Sequence, residues 1–274
     1  MPDRELKLHD KGADVAEAQE LLNRNGAMLE ADGDFGRGTE DAVREFQGAA
    51  AATGVIDAAT WGRLRGLAEP SPDIPTRAVS FISHEEVGGR RYYDTKCARP
   101  TWPGGDSGVT IGVGYDLGYQ STFEADWSDF LTPGQMSALR PWIGVKGAAA
   151  SAGPPQLAGI SIPWQAAWAG FIRRTLPQEI TRTRQTFERS NLIPRLCLGV
   201  LVSLVYNRGT SMTGPDPDKR KEMRDIRDAV SAGRLTDVPA ALRAMKRLWP
   251  EGNGLRDRRE REAVLFEEGL AKAL

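Results

Sequence analysis

The chain has 274 residues, of which 40% are hydrophobic, and 36 Lys+Arg stand against 37 Asp+Glu. That composition belongs to a globular protein with room for two domains, and no apolar run reaches the length of a membrane span, so stable membrane insertion is not expected. Two cysteines and two histidines exclude a disulfide framework and argue against a histidine zinc site.

The opening residues Met1-Pro2-Asp3-Arg4-Glu5 lack a basic segment followed by an apolar one, so no secretory signal is expected. Val15, Ala18, Leu21 and Leu22 recur at helical spacing, and Asn25-Gly26 ends that helix. Asp32-Gly33-Asp34-Phe35-Gly36 reads as a turn. Thr39 is expected to cap the next helix, whose apolar side is Ala42, Val43 and Phe46. Thr53-Gly54-Val55-Ile56-Asp57 echoes the turn, and Thr60-Trp61 opens a shorter helix with Leu64. Phe35, Phe46 and Trp61 read as core before ligand contacts. Glu69 to Pro75 holds three prolines in seven residues and reads as a stiff linker. The expected division is a small module at 1–68, a linker at 69–75 and a larger domain at 76–274.

The larger domain opens on a helix with Ala78, Phe81 and Ile82 on one face, and Glu86 follows one turn beyond Ile82. Partial desolvation there favours a protonated carboxyl, as a general acid requires. The adjacent Glu85 is the alternative acid. Gly104-Gly105-Asp106-Ser107-Gly108 is a loop, and Val109 to Tyr115 alternates as one strand. Thr110 and Asp116 are six residues apart and share a face of such a strand; if it bends at its glycines, both face a cleft beneath Glu86. An acid, a hydroxyl and a second acid are what hydrolysis of a glycosidic bond requires.

Cys97 has no spaced partner that suggests a metal, and Cys197, in Leu196-Cys197-Leu198, reads as a buried small hydrophobe. Trp127, Trp142, Trp164 and Trp168 read as core before sugar platforms. Leu201 to Gly209 is apolar all round, as a buried helix should be. Residues 1–70 carry 8 basic and 14 acidic side chains against 28 and 23 in the remainder. The basic excess suits a polyanion or plain solvation, but no basic run is interleaved with aromatics, so nucleic acid is not an expected partner.

The order Gly12, Val15, Gln19, Leu22, Gly26, then Asp32-Gly33-Asp34-Phe35-Gly36, Thr39, Ala42-Val43, Phe46-Gln47, then Thr60-Trp61 and Leu64 resembles a three-helix peptidoglycan-binding domain over residues 6–67. Ala49 to Ala52 departs from its usual pattern. Asp32, Phe35 and Thr39 are the candidate contacts in this module.

Glu86 at a helix end, the Thr110-Ile111-Gly112-Val113-Gly114 run, the apolar helix closed by Asn207-Arg208-Gly209, and Gly254-Leu255 with Arg258-Arg259, Glu262 and Leu265 together resemble phage-type lysozymes, or muramidases. Asp116 after Gly114-Tyr115 is similar to the pesticin-like group and its endolysin relatives. That resemblance implies a catalytic trio of Glu86, Thr110 and Asp116, with Tyr115 and Asn207 as candidate sugar contacts. Asp94 and Asp106 are reserves for the second acid.

The implied fold is mostly α: an α+β lysozyme-like domain with a small β-sheet, preceded by the three-helix module. The implied activity is cleavage of the β-1,4 bond between N-acetylmuramic acid and N-acetylglucosamine by a monomeric phage endolysin. It would need no cofactor, take peptidoglycan as its partner, and act on the wall after synthesis in the host cytoplasm. A lytic transglycosylase, a chitosanase, an injected antibacterial effector and an inactive wall-binding protein are the alternatives.

Overall fold

The computed structural model describes residues 4–50 and 52–273. It is mostly α-helical, with one two-stranded sheet, and no helix among the described residues is long and apolar enough to cross a membrane. The chain forms two compact units. One holds the chain up to Pro70 together with Ser83–Thr175; the other holds Ser71–Ile82 and Leu176–Leu274.

In the first unit, α1 (Ala13–Arg24), α2 (Arg37–Gln47) and α3 (Ala58–Arg65) enclose a core of Leu6, Val15, Ala18, Leu22, Phe35, Val43, Ile56, Trp61 and Leu64. Gly26, at φ 83°, stops α1 as expected. Leu6 and Ile56 exchange both backbone hydrogen bonds, at 3.0 and 2.8 Å, and so close the module from its ends. One cap differs from expectation. Gly36, not Thr39, precedes α2, and Thr39 is buried inside the helix, where its Oγ1 accepts from Gln19 Nε2 at 3.2 Å. At the third helical position its side chain lies past the free N–H groups that a cap serves. Asp57 caps α3, accepting from Thr60 N at 2.7 Å.

The same unit packs this module against residues 83–175. Trp164 Nε1 donates to Gly26 O at 2.8 Å, and Gln165 Nε2 donates to Glu45 Oε1 at 2.7 Å. Arg90 pairs with Glu45 and lies over the Trp164 ring. Trp164 and Trp168 are buried, with ring centroids 5.7 Å apart.

In the second unit, the helix Arg195–Arg208 is buried from Leu196 to Val205 and is closed by Gly209 at φ 70°. Cys197 is fully buried, as its apolar neighbours implied. The closing helix Gly254–Ala271 buries Arg258, Arg259 and Glu262. Glu262 Oε1 accepts from Ser203 Oγ at 2.6 Å and from Arg259 Nη2 at 3.0 Å. Buried charges persist only with such partners.

Candidate active site

Helix α4 (Thr76–Val87) buries Ala78, Val79, Ile82, Ser83 and Val87, while Phe81 is only half-buried. The apolar stripe therefore runs through Val79 rather than through the expected Phe81. Gly88 and Gly89, at φ 68° and 92°, break the helix just after Glu86. Glu86 thus sits in the last turn, with its Oε1 shut off from solvent.

The expected single strand is a tight hairpin. Strands β1 (Thr110–Ile111) and β2 (Tyr115–Asp116) pair antiparallel, with Thr110 opposite Asp116. The turn between them uses Gly112 at φ 57° and Gly114 at φ 69°, conformations that side chains disfavour. A Cβ on Gly112 would also lie 2.7 Å from Trp127 Cη2. Cross-strand neighbours have Cβ atoms about 4.5–5.5 Å apart, so the hairpin makes Thr110 and Asp116 adjacent by direct pairing, not by alternation along one strand.

The Asp116 carboxylate is clamped. Its Oδ1 accepts from Gly118 N at 2.8 Å and Gly108 N at 2.9 Å, and its Oδ2 is 3.1 Å from Gly108 N. The two donors approach because both residues are glycine. A Cβ on Gly108 would stand 2.4 Å from Gly118 N and 2.5 Å from Asp116 Oδ1.

Glu86, Thr110 and Asp116 line one cavity of about 320 Å³, together with Cys97, Thr101 and Ser107. Glu85, Asp94 and Asp106 do not line it. Asp94 instead pairs with Arg90 at 3.2 Å, and Asp106 is exposed. The last three lining residues were not read from the sequence. Thr101 arrives by exchanging backbone bonds with Thr110, at 3.0 and 2.8 Å, a bridge that the Pro103-Gly104-Gly105 turn signal foreshadows. Burial pushes the Cys97 thiol above its ordinary value.

The remaining candidates lie elsewhere. Tyr115 is buried; its hydroxyl donates to Asp126 Oδ2 at 2.7 Å, and its ring meets Trp127 edge-on. Burial first, then the bond to Asp126, raises its phenol far above the usual value. It supports the hairpin from the core side and does not line the cavity. Asn207 belongs to the second unit, where its Oδ1 accepts from Arg259 Nη2 at 3.2 Å.

In the N-terminal module, Phe35 and Thr39 are core. Asp32 borders a shallow groove of about 510 Å³ with Lys11, Gly12, Gly33 and Asp34. Its carboxyl accepts from Asp34 N at 2.9 Å and Gln19 Nε2 at 3.0 Å, and these bonds hold it below the usual carboxylate range. Buried Gln19 is the hub, since its Oε1 also accepts from Gly33 N at 2.9 Å. No group of three or more His, Cys, Asp or Glu side chains among the described residues is arranged to hold a metal ion.

Comparison with known proteins adds a match for the module. Residues 11–64 fit a family model described as "Putative peptidoglycan binding domain". No curated protein matches the chain. Among solved structures, the crystal structure of the Burkholderia AP3 phage endolysin aligns over 98% of both chains at 16% identity, with a TM-score of 0.23, too low for that likeness to carry an argument. The module match points to a protein that acts at the cell wall, with peptidoglycan as its partner.

Proposed function

We propose that the chain is a peptidoglycan hydrolase of the muramidase type, in which residues 1–68 hold the wall and residues 76–274 cut it. The observation that carries this reading is the cavity shared by Glu86, Thr110 and Asp116. Glu86 protonates the leaving glycosidic oxygen. Asp116, held by two backbone N–H groups, activates water or stabilises the oxocarbenium-like transition state, and Thr110 opposite it orients that water. No step calls for a metal or an organic cofactor. Attachment through the module raises the local concentration of the cutting site on its polymer. The two-part arrangement suits a monomeric phage endolysin, and an effector injected into a competitor would use the same chemistry.

The test is clearance of purified peptidoglycan sacculi by wild type and Glu86→Gln, with mass spectrometry of the fragments. Lysis by wild type alone, releasing reducing N-acetylmuramic acid ends, is the expected result. Fragments with 1,6-anhydro ends would make the protein a lytic transglycosylase. Sedimentation of both proteins with sacculi, without lysis, would leave a wall-binding protein.

A further inference from the structure

We propose that Tyr119 and Lys146 form a glycan subsite beside the Asp116 end of the cavity, seating a sugar ring and a carboxylate of the stem peptide it carries. The proposal rests on the hydrolase reading for its substrate, and it assigns to that site a preference for peptide-bearing glycan.

Tyr119 ends the 3-10 turn Leu117–Tyr119, which follows Asp116 directly, and it is 58% exposed. Of the first unit's described residues, only Tyr92 and Tyr119 are large hydrophobic side chains exposed to this degree. Yet Tyr119 is restrained. Its hydroxyl donates to Asp106 O at 3.0 Å, and the Lys146 ammonium stands 3.8 Å from its ring centroid.

Both side chains are anchored to the backbone that holds Asp116. Gly108 bridges to Lys146, Gly147 N donates to Ser107 O at 3.0 Å, and Gly144 N donates to Leu117 O at 3.1 Å. The lysine stem crosses Gly118 so closely that a Cβ there would lie 2.9 Å from Lys146 Cγ. Gly108 and Gly118 are the two residues whose N–H groups clamp Asp116. The ring, the ammonium and the candidate second acid are therefore tied to the same stretch of backbone.

This arrangement has a chemical reading. The C–H face of a pyranose packs on an aromatic ring, and a ring already fixed gives up little entropy on binding. An ammonium seated on a π face turns part of its three N–H donors toward the ring and keeps the others for a further acceptor. No carboxylate pairs with Lys146 among the described residues. A sugar whose substituent ends in carboxylates satisfies both elements; a chitin-like strand satisfies only the first.

The experiment uses full-length Glu86→Gln protein, which spares the substrate, labelled with 3-fluorotyrosine. The chain has five tyrosines, and the Tyr119 ¹⁹F resonance is identified by its absence in Tyr119→Phe. Soluble stem-bearing peptidoglycan fragments and the N-acetylglucosamine hexamer are titrated in turn. The Tyr119 resonance should shift with both. Lys146→Gln should weaken the stem-bearing fragment about tenfold, the scale of one charge-assisted hydrogen bond, and leave the hexamer unchanged. A Tyr119 resonance that stays fixed at saturation, or a Lys146→Gln variant that loses both ligands equally or neither, overturns the subsite. The hydrolase reading is judged separately by lysis with the wild-type protein, so the two can fail independently.

Discussion

The backbone N–H of Gly108 reaches both oxygens of Asp116, at 2.9 and 3.1 Å, from eight residues upstream. Only a glycine permits this, because a Cβ on Gly108 would enter the space of Gly118 N and Asp116 Oδ1. Gly108→Ala should therefore displace the carboxylate. A misplacement of about 1 Å can cost on the order of 100-fold in rate, and a loss of that order in sacculus clearance is expected. The check is a double-mutant cycle with Asp116→Asn. If the glycine acts through the acid, its cost largely vanishes in the Asn background; an equal loss in both backgrounds would reduce Gly108 to a packing residue.

Tyr115 adjoins this acid but faces the core, where Asp126 accepts from its hydroxyl and, at 2.6 Å, from Thr122 Oγ1. Tyr115→Phe takes one of two donors from a buried carboxylate, at a cost of about 1–3 kcal/mol. Thermal unfolding should show that loss, while clearance per folded molecule stays near wild type. A selective fall in activity with stability intact would return Tyr115 to the list of sugar contacts.

The helices of the N-terminal module were legible because Val15, Ala18 and Leu22 repeat at the helical period and Gly26 ends the run. Thr39 misled because a threonine near a helix start resembles a cap, whereas the helix already begins at Arg37 and the hydroxyl meets Gln19, twenty residues earlier, inside the core. The hairpin was unreadable as a hairpin because strands of two residues carry no alternation. The cavity wall of Cys97, Thr101 and Ser107 comes from loops whose meeting no local pattern encodes. Packing of the module through Trp164 was equally hidden, since its partner Gly26 lies 138 residues away.

That packing makes Gly26 do two jobs. It adopts φ 83° to end α1, and a Cβ there would stand 2.7 Å from Trp168 Cδ2. Gly26→Ala should cost about 1–3 kcal/mol, from a strained backbone and an overfilled contact. Unfolding followed by tryptophan fluorescence reads this directly. A melting temperature equal to wild type would mean that the contact with Trp168 contributes nothing to stability.

Cys97 offers a reporter inside the proposed cleft. It is half-buried and lines the cavity with Glu86, whereas Cys197 is fully buried in the second unit, its thiol pushed up to about 12 by burial. A maleimide should label one thiol in the native Glu86→Gln protein, and Cys97→Ser should abolish that labelling. Because burial also raises the Cys97 thiol, its labelling rate should reach half its maximum only above pH 9, where an ordinary thiol is half ionised. The linked stability effect has a definite sign. Folded thiols that stay protonated while unfolded ones ionise leave stability intact below pH 9 and erode it above, through about 12 for Cys197. Saturating soluble peptidoglycan fragments should then protect Cys97 from the maleimide. Labelling that proceeds at the same rate with and without them would show that glycan does not enter the cavity bounded by Glu86, Thr110 and Asp116.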